Sequence, residues 1–151
     1  MPPLRIYADW NGIGRREDGC LVIPLDTFGS LQDLTNAGVR LRDGLALTVV
    51  DWSDEEEDLE ADATTRFDAA VGMWLAVLGP KGHRYVPKGD RTPEHRFLCL
   101  GCRRDLGHDP ITRERPSAGV VYVGSPHGQA CPACGTPIAA ALAPPEPGDV
   151  R

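Results

Sequence analysis

The chain has 151 residues, of which 41% are hydrophobic and 25% are charged, and its formal net charge at pH 7 is −6. This length predicts one domain or two very small ones, and the composition excludes a fibrous or wholly disordered chain. No apolar run approaches the roughly 20 residues that a transmembrane helix needs. The first residues, Met1–Arg5, lack the charged and apolar regions of a signal peptide, so we expect a cytoplasmic protein.

Apolar runs separated by turn residues predict a small, mainly β domain over residues 1–78. Between the second and third predicted strands, Ser30 is predicted to cap a helical turn that Gly38 ends. Closure would remove exposed strand edges, so the expected architecture is an SH3-like or OB-like barrel. Residues 1–78 also resemble small, uncharacterised bacterial β proteins, which implies no activity. The predicted strands are Leu4–Trp10, Cys20–Ile23, Leu45–Val50, Leu59–Phe67 and Met73–Leu78.

Three further segments follow the predicted barrel. Residues 79–94 contain three prolines and three glycines and are predicted to be a linker. Residues 95–140 contain both closely spaced cysteine pairs and are predicted to form a zinc ribbon. Residues 141–151 are rich in proline and are expected to be a disordered tail.

Two cysteine pairs of identical spacing carry the strongest chemical signal in the chain. Two residues separate Cys99 from Cys102, and two residues separate Cys131 from Cys134. Four thiolates in two short hooks are the ligand set of a tetrahedral structural zinc site, so we predict one metal ion held by all four. Residues 95–140 contain only two aromatic side chains, and a segment with so little core should need the metal to fold.

The second cysteine pair resembles a known metal-binding pattern. Residues 131–135 read Cys-Pro-Ala-Cys-Gly, which is similar to the CPxCG knuckle of zinc ribbons and rubredoxins. The resemblance extends over residues 95–140 and implies metal binding without implying an activity. The first pair departs from the pattern, since Arg103 stands where the knuckle has its glycine. Rubredoxins also have an aromatic core that this segment lacks, so zinc is expected, with iron as the alternative.

A fully occupied four-cysteine site has no open coordination position, so we expect it to shape a surface and to do no chemistry itself. The fifth cysteine, Cys20, lies in an apolar run and is predicted to be a core thiol. His95 and His127 each precede a cysteine pair by four residues. Either histidine could replace a cysteine ligand or hydrogen-bond a thiolate. Because the four cysteines already complete the ligand set, we expect both to be ordinary surface residues.

Charge is unevenly distributed along the chain. Residues 1–80 carry 6 basic and 15 acidic side chains, whereas residues 81–151 carry 10 basic and 7 acidic ones. Four arginines could contact phosphates if the ribbon binds nucleic acid, but four thiolates around Zn²⁺ would leave the second half nearly neutral. These arginines are Arg103, Arg104, Arg113 and Arg115.

The sharpest acidic run follows a tryptophan at the end of a predicted strand. Its ordinary interpretation is a solvated loop, and its functional interpretation is a surface that attracts a basic protein partner. The residues concerned are Trp52, Asp54, Glu55, Glu56, Glu57 and Asp58.

Taken together, these features predict a non-catalytic adaptor or accessory protein that binds another macromolecule, most simply a protein. There is no convincing nucleophile–base pair, open metal site or phosphate-binding loop, and no small-molecule substrate or membrane is implied. The alternatives are a nucleic-acid-binding zinc ribbon and a rubredoxin-like electron carrier. A further alternative is an enzyme whose site is assembled from Asp9, Asp51 or the histidines.

Overall fold

The computed structural model describes residues 3–15, 19–51, 56–87, 97–106 and 130–145. These residues form a mainly β structure with one α helix and two short 3-10 helices at Trp10–Gly12 and Ala140–Leu142. No helix in these ranges is long and apolar enough to span a bilayer. The strands are β1 (Leu4–Tyr7), β2 (Gly14–Arg15), β3 (Leu21–Pro24), β4 (Ala46–Asp51), β5 (Glu57–Asp68) and β6 (Met73–Pro87), and helix α1 spans Phe28–Ala37.

The six strands form one open, mixed sheet in the order β1-β4-β5-β6-β3-β2. Strand β1 pairs with β4 in parallel, and every other pair is antiparallel. The predicted SH3-like or OB-like barrel is therefore wrong, although the mainly β class is correct. Closure would require the edge strands β1 and β2 to pair, and β2 has only two residues. A parallel pair also needs a long crossover, which the chain between β1 and β4 supplies.

Strand β6 continues through most of the segment that the sequence suggested was a linker. Residues 79–87 belong to β6, so the linker prediction is wrong there, and residues 88–94 lie outside the described residues. The proline and glycines are accommodated in an irregularity of the β5–β6 pairing, because Ala61 pairs with His83 while Ala63 pairs with Leu78. Gly82 lies in this bulge with φ of 66°. Glycine and proline here bend the hairpin without ending it.

The N-cap of helix α1 lies three residues before the predicted cap. The Oγ1 of Thr27 accepts a hydrogen bond from the Ser30 N–H at 3.2 Å, so Thr27 is the N-cap and the prediction of Ser30 is wrong. The Ser30 hydroxyl instead donates to the Tyr7 carbonyl at 2.6 Å and ties the helix to β1. Gly38 ends the helix as predicted, with a left-handed φ of 72° that glycine adopts without steric cost.

One hydrophobic core joins the sheet, the helix and the cysteine-containing segments. Phe97, Ile138 and Ala141 are buried in the same cluster as Ile6 of β1 and Leu34 of α1. The lack of core residues noted for 95–140 is thus met by sharing the core of the sheet. Whether the two parts fold as separate domains stays a prediction.

The predicted disordered tail is wrong for its first residues. Ala141 is fully buried, and its carbonyl accepts a hydrogen bond from the Leu41 N–H at 2.9 Å. The indole N–H of Trp74 donates to the Ala143 carbonyl at 3.1 Å. These bonds attach the chain after the second cysteine pair to the connection between α1 and β4 and to strand β6, because a proline-rich composition does not prevent an ordered segment where the backbone finds buried partners. Residues 146–151 lie outside the described residues.

Candidate metal centre

The four paired cysteines converge on one point, as their spacing predicts. Their Sγ atoms all lie within 4.8 Å of one another. The Sγ atoms of Cys99 and Cys134 are 3.5 Å apart, and those of Cys102 and Cys131 are 3.8 Å apart. A regular tetrahedron with Zn–S bonds of about 2.3 Å would place its sulfurs about 3.8 Å apart. The cluster therefore has the dimensions of a tetrahedral four-cysteine metal site.

The same distances distinguish the cluster from a pair of disulfides. All four cysteines are free, and the two shortest cross-pair contacts are 3.5 Å and 3.8 Å. A disulfide requires an S–S bond of about 2.05 Å. Cys99 and Cys131 are buried whereas Cys102 and Cys134 are exposed, so the centre lies at the surface with one sulfur of each pair facing inward. Cys20 is half-buried and belongs to no such group.

Each cysteine pair lies in a tight backbone loop, which we name the first knuckle (residues 98–105) and the second knuckle (residues 130–137). In the first knuckle, the Cys99 N–H donates to the Arg104 carbonyl and the Arg103 N–H donates to the Cys99 carbonyl. Bonds with the same offsets occur in the second knuckle, from Cys131 to Thr136 and from Gly135 to Cys131. An isolated antiparallel bridge closes each loop. The two knuckles thus share one local conformation despite their different sequences.

The departure from the knuckle pattern at Arg103 is accommodated without a change of backbone. Gly135 has φ of 79° and Arg103 has φ of 65°, so both take the left-handed conformation. Arg103 is the one non-glycine residue with positive φ in the described part of the chain. This conformation costs a residue with a Cβ about 1 kcal/mol or slightly more, which requires compensation.

The compensation comes from the C-terminal end of helix α1. The Arg103 guanidinium donates to the carbonyl of Thr35 at 2.7 Å and to that of Asn36 at 2.5 Å. The last carbonyls of a helix lack intrahelical partners and carry partial negative charge, so a cation is favourable there. The Asn36 side chain in turn accepts a hydrogen bond from the Leu98 N–H at 2.8 Å. Arg103 and Leu98 therefore attach the first knuckle to the helix.

This contact changes the interpretation of the candidate nucleic-acid residues. Two N–H groups of the Arg103 guanidinium donate to helix carbonyls, although the residue stays exposed. Arg104 is exposed, and Arg113 and Arg115 lie outside the described residues. Nucleic-acid binding stays a prediction, and it now depends on fewer arginines than the sequence offered.

The thiols of Cys102, Cys131 and Cys134 differ in acidity. Hydrogen bonds from the side chain and backbone of Thr136 lower the pKa of Cys134 to about 6. Backbone N–H groups, first that of Cys134, lower the pKa of Cys131 as well. The Arg104 N–H acts in the same direction on Cys102, but burial and hydrogen bonds with the other sulfurs outweigh it and raise the pKa of Cys102 to about 11. Four adjacent sulfurs cannot all be thiolates without a neighbouring cation, and a divalent metal ion supplies one.

Thr136 and Gly101 are parts of the centre that the sequence analysis did not identify. The Thr136 hydroxyl lies 3.1 Å from the Sγ of Cys134 and can donate to the thiolate. A Cβ added at Gly101 would lie 2.1 Å from the Thr136 Oγ1, so only glycine allows the two knuckles to approach this closely. The position of Gly101 between Cys99 and Cys102 was a usable signal, because glycine is typical of sites where two backbones meet.

The acidic run is only partly a surface feature. Glu56 and Glu57 are exposed, but Asp58 is 1% exposed and its Oδ1 accepts no hydrogen bond in the part of the chain that the structure describes. Asp58 is a buried residue of β5, paired with Val86 of β6, and therefore does not fit the predicted exposed acidic stripe. Trp52, Asp54 and Glu55 lie outside the described residues, as do His95 and His127.

The two aspartates considered for an enzyme site have structural contacts. The Asp9 side chain accepts a hydrogen bond from the Asn11 N–H at 2.9 Å and caps the first 3-10 helix. Asp51 accepts one from the Trp10 N–H at 3.4 Å. Burial raises the pKa of Asp51, and the neighbouring charges of Asp9 and Asp58 raise it further, although the Trp10 N–H opposes the shift. Each carboxylate therefore accepts a backbone N–H from the segment at the first 3-10 helix.

No protein-family model matches the chain, and comparisons with curated proteins and with solved structures found no significant match. The geometry of the four-cysteine cluster therefore carries the functional argument.

Proposed function

We propose that the chain binds one zinc ion through Cys99, Cys102, Cys131 and Cys134, and that it acts as a non-catalytic adaptor for a protein partner. The observation that carries this proposal is the convergence of four free thiols within 4.8 Å of one another. Zinc is favoured because an all-thiolate tetrahedral site is its usual structural environment. A cytoplasmic location fits the proposal, since reducing conditions keep thiols available for metal.

A structural role for zinc is supported by what the knuckles contact. The first knuckle is bonded to helix α1, and the chain after the second knuckle is bonded to Trp74 of β6 and to Leu41, in the connection between α1 and β4. A metal ion bound by both knuckles would therefore connect the C-terminal end of α1 to strand β6. Four protein ligands would complete its coordination, so the ion would organise a surface and would not activate a water or substrate.

Metal analysis of the purified chain tests this proposal directly. We expect one zinc per chain, and we expect Cys102→Ser to lose it because three thiolates and a hydroxyl bind zinc far more weakly. Cys20→Ser is the matched control, since Cys20 lies outside the cluster, and it should keep a full equivalent. A red, iron-containing protein would support the electron-carrier alternative in place of the zinc site. A metal-free protein with normal stability would contradict the proposal.

A further inference from the structure

A groove lies where the sheet meets the two knuckles. It has a volume of about 530 Å³. Its lining includes Met73 of β6, the neighbouring Trp74, which is only 2% exposed, and residues of both knuckles such as Leu100 and Pro137. Ala139, just after the second knuckle, also lines the groove and is half-exposed. We name this feature the knuckle groove.

Two charged side chains stand in these mainly hydrophobic walls. Asp26 follows β3 and is half-buried, and Arg40 follows helix α1 and is exposed. No ion pair within the described residues neutralises either of them. Burial raises the pKa of the Asp26 carboxyl, its backbone hydrogen bond opposes this, and the nearby charge of Asp9 raises it further. A cation placed beside Asp26 would relieve both unfavourable effects.

We propose that the knuckle groove binds a segment of a partner protein in which a large apolar side chain stands next to a lysine or arginine. The apolar side chain would enter between Trp74 and the knuckles, the basic side chain would meet Asp26, and Arg40 would donate to a carbonyl oxygen of the segment. This inference rests on the proposed adaptor function and assigns the surface on which that function is performed.

The two charges in the groove differ in their need for a partner. Asp26 is half-buried, whereas the opposite charge of Arg40 is exposed and stays solvated, so a basic side chain beside Asp26 is favoured. Opposite charge accelerates encounter and orients the partner, while burial of an apolar anchor in a pocket supplies most of the affinity. The combination of one apolar pocket and one flanking acid therefore fits an apolar–basic motif better than an acidic one.

The metal centre determines whether this groove exists. Leu100 and Gly101 lie between the ligands Cys99 and Cys102, and Pro137 follows the second ligand pair closely. These walls come from segments far apart in the chain, and the four-sulfur cluster joins the two knuckles, in addition to the shared core and the hydrogen bonds to α1 and β6. Loss of the metal should therefore abolish binding at the groove even where the sheet stays folded.

A random dodecapeptide library displayed on phage, selected against the zinc-loaded full chain, tests the proposal. We expect enrichment of peptides with lysine or arginine beside a large apolar residue. A fluorescein-labelled peptide carrying the enriched motif should lose at least about tenfold in affinity for Ala139→Trp, which fills the groove. Ala46→Trp, at an exposed position on β4, is the matched control and should bind as wild type.

Charge variants test the second half of the motif. Asp26→Asn should weaken binding of the labelled peptide about threefold to tenfold, and Glu57→Gln, an exposed acid of β5, should leave it unchanged. Zinc content and circular dichroism of each variant establish that it is folded. Equal loss with Glu57→Gln would place the binding on the acidic run and overturn the groove.

Other outcomes are equally decisive. Failure to enrich any motif, or peptides that bind Ala139→Trp normally, would overturn the inference while leaving zinc binding intact. If the wild type is a dimer that Ala139→Trp dissociates, a second copy of the chain occupies the groove. If truncation at residue 145 tightens peptide binding, the chain's own C-terminal end occupies it. Either result would overturn the inference. Peptide binding that is unaffected by a chelator would instead contradict the proposed structural role of the metal.

Discussion

A single hydroxyl adjusts the metal centre at the residue scale. The Thr136 hydroxyl lies 3.1 Å from the Sγ of Cys134 and donates to that sulfur once it is a thiolate, which is the leading cause of the low pKa of Cys134, about 6. Zinc binds thiolates, so protons and metal compete for the same sulfurs and affinity must fall as the pH falls. Because the hydroxyl lowers the pKa of Cys134, we expect the proposed zinc site to keep its affinity to lower pH.

Removal of this hydroxyl should therefore weaken zinc binding in a pH-dependent way. We expect Thr136→Val to raise the pKa of Cys134 and to lower zinc affinity at pH 7 by about tenfold, with little difference at pH 9, where the thiol is ionised anyway. Thr136→Ser keeps the hydroxyl and is the control. Competition with a chromophoric chelator across this pH range measures the effect, and equal affinities of the valine and serine variants at pH 7 would contradict it.

At the scale of elements, the contact between the first knuckle and helix α1 is governed by Arg103. The residue combines an unfavourable backbone conformation, φ of 65°, with two hydrogen bonds to the carbonyls of Thr35 and Asn36. Glycine at this position would relieve the backbone cost but lose both bonds, whereas alanine would keep the cost and lose both bonds.

These two substitutions therefore separate the opposing contributions. We expect Arg103→Ala to lower the free energy of unfolding of the zinc-loaded protein by about 1–2 kcal/mol, allowing for the exposure of the guanidinium. Arg103→Gly should lower it by about 1 kcal/mol less than alanine does. Arg104→Ala, at an exposed neighbour, should stay within about 0.5 kcal/mol of wild type. Urea unfolding gives all three values, and glycine and alanine variants of equal stability would exclude strain at Arg103.

The element scale also explains why the barrel prediction failed. The alternation and turn signals placed most strands correctly, because strand formation depends on neighbouring residues. The parallel pairing of β1 with β4 depends on how α1 crosses between them, and a local pattern carries no information about it. Residues 79–87 were misassigned for a related reason, since glycine and proline mark a linker and a bulged strand equally well.

At the scale of the whole molecule, the shared core links the metal centre to the sheet. Phe97, Ile138 and Ala141 are buried with sheet residues, and Trp74 of β6 bonds to Ala143. Structural zinc in small peptides contributes roughly 10–16 kcal/mol apparent, which is comparable to the total stability of a domain of about 5–15 kcal/mol. We therefore expect the knuckles to need the metal in order to fold, and we expect the residues of the sheet that contact them to change when the metal is removed.

Chelation provides the corresponding prediction. We expect a chelator, or Cys131→Ser, to remove amide protection from residues 97–106 and 130–145 while β4 and β5 stay protected. In a Trp10→Phe, Trp52→Phe background, the fluorescence of Trp74 should change at the same metal concentration, because its indole partner is released. Hydrogen exchange and fluorescence titration measure the two effects. Unchanged protection of the knuckles without metal would contradict the role assigned to zinc.

The sequence alone was sufficient for features that depend on neighbouring residues. The spacing of the cysteines predicted the four ligands, the alternation of apolar residues predicted a mainly β chain, and Gly38 predicted the end of α1. Each follows from the chemistry or backbone freedom of residues a few positions apart.

Only the tertiary structure decided how those features combine. The open sheet order, the attachment of Arg103 to the end of α1, the contact of Thr136 with Cys134 across from Gly101, and the knuckle groove all join distant parts of the chain. Such contacts are selected by the burial and hydrogen bonding of the complete fold, which no short stretch of sequence determines.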